Sequence, residues 1–177
     1  MKTISEEQRL ILELFVCLSQ AEQRNLSKVK KQYNKLQKKA EKFPAHGKIW
    51  ALLGKIEFSL GNYWEAGRNF KEASHYLLDK GQEFCLCRNF FNAAASFENE
   101  LHRGTPGQIS AEKQNLLKEL VNKCLVKSQK IAFEYNFTLL IFSQYDFLSN
   151  HELRYRSPSK ALEYLKKTNK VKSPTKM

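Results

Sequence analysis

The chain has 177 residues, 42% of them hydrophobic and 27% charged, with only 7 Gly and 4 Pro. That composition suits one folded domain or a short run of helical repeats, and it excludes a disordered chain and a turn-rich all-β protein. The formal charge of +12 concentrates in residues 28–42 and 152–177, at +6 each, so the body between is nearly neutral.

Four Cys without paired-ligand spacing exclude a disulfide scaffold and argue against a structural zinc. No apolar run approaches the roughly 18 residues that span a bilayer. The first residues, MKTISEEQRL, lack the apolar stretch of a secretory signal. A cytoplasmic location is expected, with the nucleus also compatible with the basic clusters.

The first predicted helix opens with one of two capping boxes, Thr3 with Glu6 or Ser5 with Gln8. Ile4, Ile11, Leu14, Phe15 and Leu18 recur at helical spacing, and Leu10, Leu12 and Val16 widen the apolar surface. This helix is expected to meet neighbours on more than one side. The second spans 26–42, with Val29, Tyr33, Leu36 and Ala40 on one face. Lysines fill the remainder: Lys28, Lys30, Lys31, Lys35, Lys38, Lys39 and Lys42. The basic patch of Lys28, Lys30, Lys31, Lys35, Lys38 and Lys39 is expected to meet a partner. Lys lacks the planar fork with which Arg grips phosphate or guanine, so specific nucleic-acid reading is disfavoured while non-specific attraction stays open. Phe43-Pro44 and Gly47 end the helix.

Residues 47–80 predict a helix over 48–60, a turn at Gly61-Asn62 and a helix over 63–79. Gly54 and Ala66 are small enough for the two helices to approach closely. Trp50, Leu53, Tyr63 and Phe70 supply bulk, Ala73 continues the face, and Gly61 suits the tight turn. Residues 82–103 predict a further helix, offering Phe84, Phe91, Ala94 and Ala95 for packing, broken by Thr105-Pro106-Gly107. Ser110 caps a long helix striped by Leu117, Leu120, Val121, Cys124, Ile131 and Phe133. The apolar string 137–148 has strand propensity, but in an otherwise helical chain it is expected to form a buried helix, and 159–168 a last short one. The expected organisation is a single helical domain over 1–149 and a basic, partly flexible segment over 150–177.

The stretch 47–80 resembles the tetratricopeptide repeat family. Trp50-x2-Leu53-Gly54, Gly61-Asn62-Tyr63 and Ala66-x3-Phe70-x2-Ala73 match that family's signature without insertion. Glu57 stands where the family has Tyr, and Leu78 near its repeat-ending Pro. The resemblance implies an all-α fold: a short right-handed array of antiparallel helix pairs, with degenerate helices flanking the clear unit. Long helices in degenerate repeats also resemble the attachment-protein branch of that superfamily, including its huntingtin-associated members. This implies a scaffold or adaptor for a larger helical-repeat protein such as huntingtin.

No phosphate loop, nucleophile elbow or zinc-protease motif occurs, and His46, His75, His102 and His151 lie far apart. A non-enzymatic role without metal or cofactor is therefore expected. Trp64, Phe90 and Phe142 are candidate partner contacts. Ser157 and Ser173 each begin a Ser-Pro-x-Lys string resembling sites of proline-directed kinases. A dianionic phosphate there would weaken attraction to an acidic partner. The alternative function is a basic accessory protein of nucleic acid or chromatin.

Overall fold

Ser5 sets the start of the first helix, α1 (Glu6–Glu22). Its hydroxyl accepts from the Gln8 backbone N–H at 3.2 Å, and the Gln8 side chain accepts from the Ser5 N–H at 3.1 Å. The second of the two predicted capping boxes is thus the one formed. Thr3 lies outside the residues that this computed structural model describes, which are 4–77, 81–103, 109–155, 160, 162–164 and 166–167.

All regular structure among the described residues is α-helical: α1, α2 (Leu26–Ala40), α3 (Gly47–Ser59), α4 (Tyr63–His75), α5 (Glu83–His102), α6 (Ala111–Glu134) and α7 (Thr138–Tyr155). Neighbours in sequence pack together, with α1 on α2, α3 on α4 and α5 on α6, while α1 also packs on α3 and α4 on α5. The second helix buries the four predicted residues Val29, Tyr33, Leu36 and Ala40. Ser110 caps α6 as predicted, accepting from the Lys113 N–H at 3.2 Å.

Three helices stop by the same device. After α3, Gly61 takes φ +79°, its N–H reaches the Phe58 carbonyl, and the Asn62 N–H reaches the Glu57 carbonyl. This six-to-one and five-to-two pairing satisfies carbonyls that the helix end leaves open. Arg24 after α1 and Asn136 after α6 close the same pair of bonds at φ 60° and 53°.

One core gathers Leu10, Leu14 and Cys17 of α1 with Val29 and Leu36 of α2 and Ile49 and Ile56 of α3. A second gathers Phe70 of α4, Phe97 of α5, Leu117 and Val121 of α6, and Leu148 of α7. Glycines allow the helices between them to touch. A Cβ at Gly54 would meet the Phe70 ring at 3.0 Å, and one at Gly67 would meet the Phe97 ring at 2.5 Å.

Several predicted faces are corrected. On α1 the buried residues are Leu10, Leu14, Cys17, Leu18 and Ala21, while Ile4, Leu12, Phe15 and Val16 are exposed. α1 packs mainly on α2 and α3, and Leu10, Leu14, Cys17, Leu18 and Ala21 are the residues it buries. On α6, Phe133 is exposed and Leu125, Ser128 and Ala132 are buried instead. The 137–148 string is helical, and it buries Ile141, Gln144 and Leu148 while Leu139 is 82% exposed. The helix α4 ends at His75 rather than 79, and α7 runs to Tyr155, past residue 149. Residues 160, 162–164 and 166–167 are helical, within the stretch predicted for a last helix.

Candidate protein-interaction surfaces

The repeat-signature residues other than Gly61, which makes the turn after α3, are packing residues. Leu53, Ala66, Phe70 and Ala73 are buried between α3 and its neighbours. Trp50 is half-buried and its indole N–H donates to the Pro44 carbonyl at 2.7 Å, tying α3 to the turn before it. Tyr63 is half-buried and meets Phe58 edge to face. Glu57, the departure from the signature, is buried. Its carboxylate accepts from the Asn62 side-chain amide at 2.7 Å. Burial first, and then the Glu57 charge, push the Tyr33 phenol of α2 upward.

The basic patch divides into two functional parts. Lys28, Lys31, Lys35 and Lys38 step along α2 at spacings of three, four and three, so they form one row about 15 Å long. All four are exposed, and so is Lys30 on another side of the helix. Lys39 instead donates to Glu13 of α1 at 2.6 Å, and Lys42, just past the helix end, to Glu6 at 3.1 Å. Tyr33, the one aromatic among these lysines, is 3% exposed, which removes it as a stacking platform for bases.

A groove of about 600 Å³ runs between α3 and α5. Its walls carry Leu52 of α3, Phe84 of α5, Phe15 of α1, and Tyr76 and Leu77 after α4. Lys55, Arg88 and Asn92 line it and also line an adjoining pocket of about 310 Å³ that continues toward Leu18 and Ser59. Burial first, and then the Arg88 guanidinium, hold the Lys55 ammonium below its usual range; Glu22 opposes this. Neither Lys55 nor Arg88 forms an ion pair among the described residues. Asn89, 5% exposed, also lines the groove, and its amide nitrogen has no hydrogen-bond partner among the described residues. The sequence groups Arg88, Asn89 and Asn92 on one predicted helix, but with one clear repeat it gives no spacing by which to assign them a binding role, and Lys55 joins them only through the fold.

The candidate contacts Trp64 and Phe90 are half-buried and already engaged. Trp64 tilts on Phe97, and Lys127 lies 5.2 Å over the Phe90 ring. Outside those contacts, apolar side chains remain exposed on the first helix, at Leu12 and Val16, and on the last, at Leu139. The Phe142 side chain, Ser157 and Ser173 lie outside what is described. Comparison of the chain with family models, curated proteins and solved structures finds no match.

Proposed function

We propose that this chain is a non-enzymatic interaction module: a tetratricopeptide-like array of helix pairs that binds and stabilises a larger helical protein. The observation that carries this reading is the aliphatic surface left uncovered on the outermost described helices. Leu12 and Val16 are 55% and 53% exposed on α1, and Leu139 is 82% exposed on α7. Such side chains gain from burial against another protein at about 25 cal/mol per Å². A polyanion would leave them in water. The lysine row on α2 supplies steering toward an acidic partner surface.

Three strings direct the choice of partner. Tyr33-Asn34-Lys35-Leu36-Gln37-Lys38-Lys39, Glu72-Ala73-Ser74-His75-Tyr76-Leu77-Leu78 and Ala93-Ala94-Ala95-Ser96 resemble stretches of the 40-kDa huntingtin-associated protein. Huntingtin is therefore the first partner to test. The lysine row also supports a second reading, a nucleic-acid or chromatin accessory protein held by counterion release.

One experiment separates the two. The tagged chain is used for capture from lysate with and without nuclease, at low and high salt, followed by direct binding to purified huntingtin. The module reading expects one large helical protein to persist in every condition, and to be lost when Leu12, Val16 or Leu139 becomes Asp. A catch of RNA or chromatin that vanishes with nuclease overturns it in favour of the second reading.

A further inference from the structure

We propose that a pocket between α4 and α6 binds a phosphorylated tyrosine of a partner protein, with the phosphate held by Lys71 and Lys127 and the ring laid on the apolar wall beside them. This deepens the interaction-module reading and rests on it. The pocket shares no residue with the groove between α3 and α5.

The cations carry the first part of the argument. Lys71 of α4 and Lys127 of α6 line one pocket of about 510 Å³. Burial pushes the Cys124 thiol in its wall up to about 11, and the Lys71 and Lys127 charges pull it back, so both ammonium groups lie near it. The fold gives neighbouring lysines a carboxylate: Lys113 meets Glu100 at 2.8 Å, and Lys123 meets Glu119. Among the described residues it gives none to Lys71 or Lys127. The sequence withholds one as well. The positions one turn from Lys127 hold Lys123, Cys124, Lys130 and Ile131, and those one turn from Lys71 hold Gly67, Arg68, Ser74 and His75. Like charges at that spacing weaken a helix, and an anion bound among them relieves the repulsion.

The wall between the cations selects the anion. Phe90 of α5 lines the pocket with Leu120 and Val126 of α6, and Val126 is 59% exposed. Lys127 lies 5.2 Å over the Phe90 ring, so charge and apolar surface stand side by side. A phosphate monoester carries a charge of about −1.5 to −2 at neutral pH, which two ammonium groups match and a single carboxylate does not. Lys suits it as a point charge, without the fork that pairs Arg with a planar carboxylate. Phosphoserine holds its phosphate close to the backbone and brings no apolar surface. Phosphotyrosine sets a ring between the two, which covers Leu120 and Val126 and meets the Phe90 ring.

The test passes capped peptides, random on either side of a fixed phosphotyrosine, over the immobilised full-length chain. A retained peptide, resynthesised, is expected to bind about tenfold more weakly to Lys71→Gln and to Lys127→Gln. Exchanging its phosphotyrosine for phosphoserine is expected to cost about tenfold as well. Val126→Ser is expected to narrow that difference, because the exposed Val126 side chain serves only the ring. Lys118→Gln, on α6 outside the pocket, removes the same charge and is expected to change nothing. Unchanged helical content and melting of the pocket variants separates site loss from unfolding. No retention, equal binding of the two phosphopeptides, or binding indifferent to Lys71→Gln and Lys127→Gln overturns the proposal. Phenyl phosphate bound as tightly as the peptide overturns it in favour of a free small molecule. A single-stranded oligonucleotide or phosphatidate vesicles held by the same two lysines, with the peptide unbound, overturn it in favour of a polyanion or a lipid surface. If partner capture through Leu12, Val16 and Leu139 survives any of these results, only the pocket assignment falls. If the peptide binds while capture fails, only the module reading falls.

Discussion

Gly67 shows how much a single missing methyl group decides. It lies on α4 opposite Phe97 of α5, and a Cβ there would stand 2.5 Å from the ring. Phe97 is 1% exposed and has nowhere to retreat. Gly67→Ala is therefore expected to destabilise the protein by about 1–3 kcal/mol, although helix propensity alone favours Ala. Thermal unfolding checks this, and Phe97→Leu in the same chain should recover part of the loss by vacating the ring. A gain in melting temperature from Gly67→Ala alone would contradict the close approach. This glycine is invisible in the repeat signature, whose small positions are Gly54, Ala66 and Ala73. Only the docking of α5 on α4 gives Gly67 its task. At Gly54, by contrast, sequence and structure agree, because its partner Phe70 lies within the same helical hairpin.

At the scale of elements, α7 is attached through a buried polar contact rather than through apolar packing alone. Gln144, 1% exposed, donates from its side-chain nitrogen to the Ser128 hydroxyl of α6 at 2.7 Å. That hydroxyl donates to the Cys87 carbonyl of α5 at 2.8 Å, and the Cys87 thiol donates to the Ser128 carbonyl at 3.2 Å. Three helices thus meet at one hydroxyl. Ser128→Ala leaves the buried Gln144 donor with only the weak Cys87 sulfur acceptor at 3.7 Å, at a cost of about 1–3 kcal/mol. Amide hydrogen exchange should then accelerate in α7 while α1–α3 keep their protection. Adding Gln144→Leu removes the poorly satisfied donor and is expected to restore most of the protection. Failure of that restoration would mean that the network does not hold α7. The string 137–148 has strand propensity, and it reads as a helix only because the rest of the chain is helical. Its orientation is not legible, since Leu139, Leu140 and Ile141 are chemically alike and only the pairing of Gln144 with Ser128 selects which one turns inward.

For the whole molecule, the charge of +12 divides between what the fold uses and what it leaves for a partner. Lys39 and Lys42 tie α2 to Glu13 and Glu6 of α1, whereas Lys28, Lys31, Lys35 and Lys38 face water. Replacing Lys28, Lys31 and Lys35 together by Gln should leave stability within about 0.5 kcal/mol, while Lys39→Gln should lower it by about 0.2–1 kcal/mol. Melting curves of the two variants distinguish these roles. Partner capture should respond in the opposite order, falling with the triple variant and surviving Lys39→Gln.

The helical class, the α2 core face, the Ser110 cap and the Gly61 turn follow from the sequence by itself, because each depends on residues within a turn or two of one another. Periodicity, capping and φ preference are local properties, and a local pattern survives whatever packs against it. What the tertiary structure alone decided are the relations between helices: Phe15 turned to a groove wall, Gly67 beneath Phe97, Gln144 on Ser128, and Lys55 beside Arg88. The Gly67–Phe97, Gln144–Ser128 and Lys55–Arg88 pairs lie 16 to 33 positions apart, each on two different helices. Amphipathic pattern says that a helix has a buried side. It does not say which of several apolar faces finds a neighbour, and the first and last helices, each with an uncovered side, are where that difference is largest.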